Sequence, residues 1–406
     1  GFLSLIGAPA SYAPAGDDDC LDITDWLLAQ ELSGDEIRGL DEIFSARYPH
    51  LERGKEAAGS RAGEKFTEFD GYVPGAGEEF SPLRTGGPVM SASSLETAGT
   101  CPLRYFFKYV LRIEPPDEIE FDPYTWLDPM QAGSLMHSVF EVFYTRVNSE
   151  NRLPRPGDWP MLCAILESQA AEYLDHTPPP SENVYRNQMA DLATMAWVFL
   201  SEECEFSKTS RPRFFEAAIG MPPGGEGTPL DSEEPALIRL PDGSSIRARG
   251  RIDRVDEIPS RSGRLYSIWD YKTGGAYKYR NSDPFNGGRV VQHALYLMMV
   301  SPRLREIAGE DAAAAFFGYF FPNRKCRGER ILFSEEQLGR GGDVICLICS
   351  GLSRGAFIAT DNPADCKFCD YLPVCGDDTA VTSSTLLKMN EQENTALKYF
   401  RELRNR

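Results

Sequence analysis

The 406-residue sequence has no stretch near the roughly 20 consecutive apolar residues that a membrane-spanning helix needs. It lacks an internal repeat, which excludes a solenoid, and a Gly-x-x-x-x-Gly-Lys-Ser/Thr phosphate loop, so no ATPase motor is recognisable in it. Histidine is scarce, with four residues, and positive charge is in deficit: 42 Lys and Arg face 61 Asp and Glu, for a net charge of -19. That balance excludes a protein that coats nucleic acid with a general basic surface, because phosphate binding needs Lys and Arg. Residues 1–16 hold small apolar side chains but no basic leading segment, so the start reads as a fragment boundary rather than a signal peptide.

What is present implies two or three domains and a sizeable core. Cys163, Cys204, Cys346 and Cys349 sit within apolar runs, which reads as buried thiols in a reducing, cytoplasmic setting. Between Arg247 and Arg330, sixteen basic side chains face nine acidic ones, a local surplus of seven. Such a segment can lay one positive face along a phosphate backbone, or be a solvated strand-rich surface; charge alone does not choose.

Residues 1–88 are acidic and Gly-rich, with short helical patterns at 21–30 and 34–48 and a linker-like stretch at 54–87. Helices are expected near 91–112, 131–147, 160–174 and 185–204. From Arg213 the pattern turns to strands: 214–219, a hairpin of 236–240 and 244–255 about Pro241-Asp242-Gly243, then 264–271. A helix at 290–300, strands at 312–321 and 329–333, and a helix through Leu352 complete a mixed α/β core with helices packed on a sheet. A helical tail is expected at 386–403, within a C-terminal segment 381–406.

Asp270 and Lys272 stand one residue apart on the strand Ile268-Trp269-Asp270-Tyr271-Lys272, so period-2 geometry projects both to one face. A carboxylate that holds a divalent cation beside an ammonium that stabilises charge suits phosphodiester hydrolysis. Asp253, in Gly250-Arg251-Ile252-Asp253-Arg254-Val255-Asp256 on the preceding strand, can approach Asp270 and complete a hard oxygen site for Mg2+ or Mn2+. Asp256, followed by Glu257, is expected at the surface.

Four motifs, Gly133-Ser134-Leu135-Met136-His137, Gly250-Arg251-Ile252-Asp253, Asp270-Tyr271-Lys272-Thr273-Gly274 and Gln292-His293-Ala294-Leu295-Tyr296, occur in an order that resembles the PD-(D/E)xK nucleases of the RecB and AddB type. The resemblance implies a restriction-endonuclease-like mixed sheet flanked by helices. It implies His137, Asp253 and Asp270 as metal ligands, with the Tyr271 carbonyl as a further one, and Lys272 as the catalytic lysine. Gln292 and Tyr296 would support the site, and Glu216 resembles a carboxylate that often precedes the hairpin in these proteins. It spans residues 89–380 as a nuclease domain, and Glu68-Phe69-Asp70-Gly71-Tyr72 looks like the approach to it. The implied partners are DNA and an ATP-dependent helicase subunit or helicase-like domain. A stand-alone CRISPR-associated-type exonuclease and a catalytically inactive DNA-binding module are the alternatives.

Cys366-Lys367-Phe368-Cys369 with Cys375 places three thiols on one short segment, and no second local pair follows to make a zinc ribbon. With the distant Cys101 they resemble the iron–sulfur staple of AddB-type nucleases. The resemblance thus implies a [4Fe–4S] cluster held by Cys101, Cys366, Cys369 and Cys375, with zinc on the same thiols as the alternative.

Overall fold

The computed structural model describes residues 14, 17–33, 42, 46–115, 122–224, 227–260 and 263–405. The chain divides after Lys65 into two units, Gly1–Lys65 and Phe66–Arg406. The first holds helices α1 (Ile23–Ser33) and α2 (Pro49–Ala62). Most of the helical pattern expected at 34–48 lies outside the described residues. The linker expected at 54–87 is instead partly helical: Pro49 presets the first turn of α2, and its two interior glycines face open space in an alanine-rich helix. A second helical turn, Pro74–Glu79, lies in the same stretch.

In the second unit, β1 (Val89–Met90) leads into α3 (Ala92–Thr100), capped by the Ser91 hydroxyl, which accepts from the Ser94 amide. Three long helices follow: α4 (Pro129–Ser149), α5 (Trp159–Leu174) and α6 (Glu182–Phe206). Asp128 caps α4 by accepting from the amides of Met130 and Gln131, and Pro129 fills the first helical position.

The strands are β2 (Arg211–Ile219), β3 (Ala236–Arg239), β4 (Ser245–Ala248), β5 (Gly250–Ile258), β6 (Leu265–Tyr271), β7 (Ala313–Phe321) and β8 (Glu329–Ser334). The central sheet runs β2-β5-β6-β7-β8, antiparallel except for the β6–β7 pair. That parallel pair needs a crossover, which α7 (Gln292–Ala308) supplies. The second hairpin strand expected at 244–255 is broken at Arg249, so β4 joins β1 and β3 in a small sheet while β5 enters the main one. The Arg249 amide donates to Met90 O, and Gly250 leaves space that a Cβ would lose, 2.9 Å from the Tyr296 ring. After β8 come α8 (Gly341–Ser353), α9 (Asp378–Asn390) and α10 (Lys398–Arg404). The single tail helix expected at 386–403 is thus two, interrupted around Glu391–Asn394.

Two apolar clusters cover the sheet. One joins α7, α8 and α10 to Ile252, Ile268 and Phe317; the other joins α4, α5 and α6 to Trp269, Tyr271 and Phe320. The alternation of Ile268 and Trp269 between the clusters is the period-2 pattern of a strand covered on both faces. Each fully buried side chain, such as Phe143, Phe199 or Phe317, contributes roughly 1.5–3 kcal/mol.

Asp256, expected at the surface, is fully buried. Its two oxygens accept from Arg254 Nε and Nη2, both at 2.6 Å, and from Ser210 Oγ at 2.9 Å, which offsets the cost of burying the charge. Arg254 also meets Glu203 at 2.8 Å, and Arg330 meets the same Glu203 oxygen at 2.8 Å. Tyr144 donates to the other. The network clamps α4 and α6 onto β5 and β8. Glu203→Ala is expected to destabilise the fold by about 3 kcal/mol, because the buried Arg254 keeps only Asp256, Arg330 keeps only Glu202, and a cavity opens between them. A urea unfolding midpoint equal to that of the unmodified protein would refute this weight.

Candidate metal centre and active site

β2 and β5 face each other with Phe215 opposite Arg254 and Ala217 opposite Ile252, which sets Glu216 across from Asp253. Glu216 adopts φ +47°, a left-handed conformation that costs a non-glycine residue about 1–2 kcal/mol. The strained backbone belongs to a side chain drawn into the site. His137, from the middle of α4, brings Nδ1 to 3.6 Å from Glu216 Oε1 and 3.5 Å from Asp253 Oδ2. Its ring stands edge-on to Tyr271, 5.5 Å between centroids.

His137, Glu216 and Asp253 each offer one ligand atom, all within 4.8 Å of one another, the one such group of three or more His, Cys, Asp and Glu ligands among the described residues. One imidazole and two carboxylates form a donor set that a hard divalent cation fits. The charge imbalance points the same way. Burial raises the Asp253 carboxyl to about 7, with Asp270 and Glu216 pushing up and His137 pulling down. Burial lowers the His137 pKa, but Asp253 and Glu216 outweigh it and lift the group to about 9.

Asp270 and Lys272 lie beside this triad, not within it. Lys272 Nζ sits 2.5 Å from Asp270 Oδ2, and Gln292 Nε2 donates to Asp270 Oδ1 at 2.6 Å. Lys272 Nζ also donates to Gln292 Oε1 at 3.3 Å, so the three side chains close a ring. Asp270 Oδ2 is buried and forms no aligned hydrogen bond, which leaves a lone pair for a cation. Burial opposes the charge of Lys272, but Asp270, Tyr279 and Asp253 together hold its pKa above the usual lysine range. Lys272 therefore keeps its proton, which suits charge stabilisation rather than general-base work. The Tyr271 amide donates to Asp253 Oδ2 at 2.8 Å, tying β6 to β5 at the site. Tyr296 is buried one turn into α7, with its ring against Gly250.

One side chain near the site escaped the sequence reading. Glu96 Oε1, on α3, accepts from the amides of Val291 at 3.0 Å and Gln292 at 3.1 Å. The sequence carries no signal for a bond that spans 195 residues.

Both titrating members of this candidate site hold their protons more tightly folded than unfolded. Asp253 therefore lends stability that is full below its ordinary 3.8 and is lost as pH rises through about 7. For His137 the window runs from its ordinary 6.5 to about 9. A cation binds the deprotonated ligands, so stabilisation by magnesium should grow across this range. We expect the difference in thermal midpoint between magnesium and EDTA to be smallest near about pH 6 and largest near about pH 9. A difference independent of pH would count against these ligands.

The four cysteines named above converge elsewhere. Cys101, Cys366, Cys369 and Cys375 line one cavity, together with Arg104, Phe107, Ala359, Leu372 and Val381. The backbone amides of Arg104 and Thr360 both donate to the Cys101 sulfur, while burial pushes this thiol up to about 12. Thiolates in such an apolar hollow need a cationic group to be stable, so the donor set fits iron or zinc.

Comparison with known proteins identifies the family. Residues 89–376 match the family model of the PD-(D/E)XK nuclease superfamily. Three curated proteins, each named as a subunit of an ATP-dependent helicase/deoxyribonuclease, are similar. That of Symbiobacterium thermophilum is 29% identical over 237 residues, 52% of this chain and 17% of the relative. Those of Clostridium tetani and Geobacillus thermodenitrificans are 25% and 27% identical, each over 57% of this chain and 19% of the relative. The aligned region is thus less than a fifth of the length of these relatives. The matched span includes His137, Glu216, Asp253, Asp270 and Lys272 and the four cysteines of the cavity, and the chain belongs to the PD-(D/E)XK nuclease superfamily.

Proposed function

We propose that this chain is a Mg2+- or Mn2+-dependent deoxyribonuclease that trims single-stranded DNA exonucleolytically, as the nuclease part of a helicase–nuclease acting on DNA ends in recombinational repair. The observation that carries the reading is the His137–Glu216–Asp253 triad beside the Asp270–Lys272–Gln292 ring. A bound divalent cation would supply Lewis-acid polarisation of the scissile phosphate. His137, Glu216 and Asp253 would hold it, with Asp270 Oδ2 beside them. Lys272, kept protonated and fixed by Asp270 and Gln292, offsets charge developing on the phosphate and orients the attacking water. Gln292 fixes the direction of both partners.

Single strands are favoured by the loop that follows Lys272. Tyr277 is 92% exposed there, next to Lys278, and Lys325 approaches Gly275 from the neighbouring loop. Exposed rings with adjacent cations suit base stacking and phosphate contact. The helicase partner is inferred from the names of the relatives. A cytoplasmic setting is inferred from Cys163, Cys204, Cys346 and Cys349, which sit within apolar runs as reduced thiols do; among the described residues, no helix is long and apolar enough to cross a membrane.

For the cysteine site we propose a structural [4Fe–4S] cluster. What supports the reading is that Cys366, Cys369 and Cys375 from one short segment and the distant Cys101 line one cavity, a four-thiol donor set of the kind that holds such a cluster. End-labelled single- and double-stranded DNA, incubated with magnesium or EDTA, tests the activity. Failure to shorten either substrate with magnesium would sink the reading.

A further inference from the structure

We propose that Glu96 is a positioning residue for the catalytic lysine, acting by capping the helix that carries Gln292; the inference rests on the nuclease reading of the site. Helix α7 has no cap of its own, because its N-cap position is Val291, which has no side-chain acceptor. Glu96 supplies the missing acceptor from α3: one oxygen, Oε1, takes both the Val291 and Gln292 amides. A carboxylate there also lies favourably at the positive end of the helix dipole.

The consequence reaches the active site through one residue. Gln292 is the first residue of α7, and its side chain bridges Asp270 and Lys272. Fixing its backbone fixes where that bridge points. An uncapped first turn frays, and a fraying Gln292 would leave Lys272 with Asp270 alone.

Glu96 is itself held firmly. Gly99, on the same helix, packs so closely on the loop before α7 that a Cβ would stand 1.9 Å from Gly288 O. Arg404 donates to Gly99 O at 2.9 Å and Thr100 O at 3.1 Å, and to Gly287 O across the junction. Cys101 ends this helix. The cavity of the four cysteines and the first turn of α7 are therefore both fixed to one nine-residue element.

The test uses the full chain with its metal and cluster, comparing Glu96→Ala with Glu96→Gln. Because both amides bond to the same oxygen, glutamine keeps the cap and removes only the charge. We expect Glu96→Ala to lower kcat by about 10- to 100-fold, the usual cost of losing a support behind a metal-site ligand, with KM for DNA within about twofold. Glu96→Gln should restore most of kcat. Hydrogen exchange at the Val291 and Gln292 amides should quicken at least about tenfold in the alanine variant only. Unchanged kcat or unchanged exchange in Glu96→Ala overturns the proposal, and so does a Glu96→Gln enzyme as slow as Glu96→Ala. Unmodified protein without metal-dependent cleavage would instead refute the nuclease reading, and exchange would still decide whether Glu96 holds the helix.

Discussion

Asp253→Asn is expected to slow magnesium-dependent DNA cleavage by about a thousandfold or more, roughly 4 kcal/mol of transition-state stabilisation. Asparagine is the informative choice because it retains shape and the acceptor for the Tyr271 amide, which sits 2.8 Å from Asp253 Oδ2. The β5–β6 junction then stays closed, and what is lost is the negative charge of one of three candidate ligands. DNA affinity should persist or rise slightly, since it rests on basic side chains and one anion near the phosphate is gone. In EDTA the variant should be at least as stable as the unmodified protein, because burial, with Asp270 and Glu216, outweighs the attraction of His137 and disfavours the Asp253 carboxylate. The added stability from magnesium should shrink accordingly. Three measurements decide the matter: the cleavage rate, a gel shift and thermal midpoints with and without magnesium. A variant that cuts at the native rate with an unchanged magnesium requirement would show that the metal lies elsewhere.

The parts of this site that follow local periodicity were legible in the sequence. Asp270 and Lys272 share a strand face because their spacing is two, and they do meet, at 2.5 Å. Helices and strands were placed to within a few residues wherever apolar alternation was strong, as in α4 and β6. What was illegible depends on distant partners or on backbone geometry. Asp256 looked exposed because its neighbour Glu257 is charged. Its burial is decided by Arg254 on its own strand and by Glu203 from α6, all three of which hydropathy counts as surface residues. Glu216 gave only a resemblance; its left-handed φ and its place opposite Asp253 emerge from the β2–β5 register. Glu96 reads as an ordinary polar position on a short helix, and only the approach of α3 to the start of α7 gives it a role.

The second large effect concerns the cysteines. If the proposed [4Fe–4S] cluster is present, Cys366→Ser is expected to remove its colour and visible absorption, along with its iron and acid-labile sulfide. Cys101 and Cys366 lie 265 positions apart in the sequence, yet they line the same cavity. Closing a loop of that length restricts the unfolded chain by up to about 5 kcal/mol, on the model used for cross-links. For a unit of this size, the loss should lower the thermal midpoint by on the order of 10 °C. The segment that would loosen includes Asp365, which with Asp361 holds Arg289, three residues before Gln292. Nuclease activity should therefore fall with the cluster even below the new midpoint. Cys163→Ser is the control, since Cys163 lies on α5, outside the cavity, and should leave colour, stability and activity unchanged. Zinc in place of iron in the purified unmodified protein would refute the cluster. A colourless Cys366→Ser protein with an unchanged midpoint would show instead that the cluster does not staple the fold.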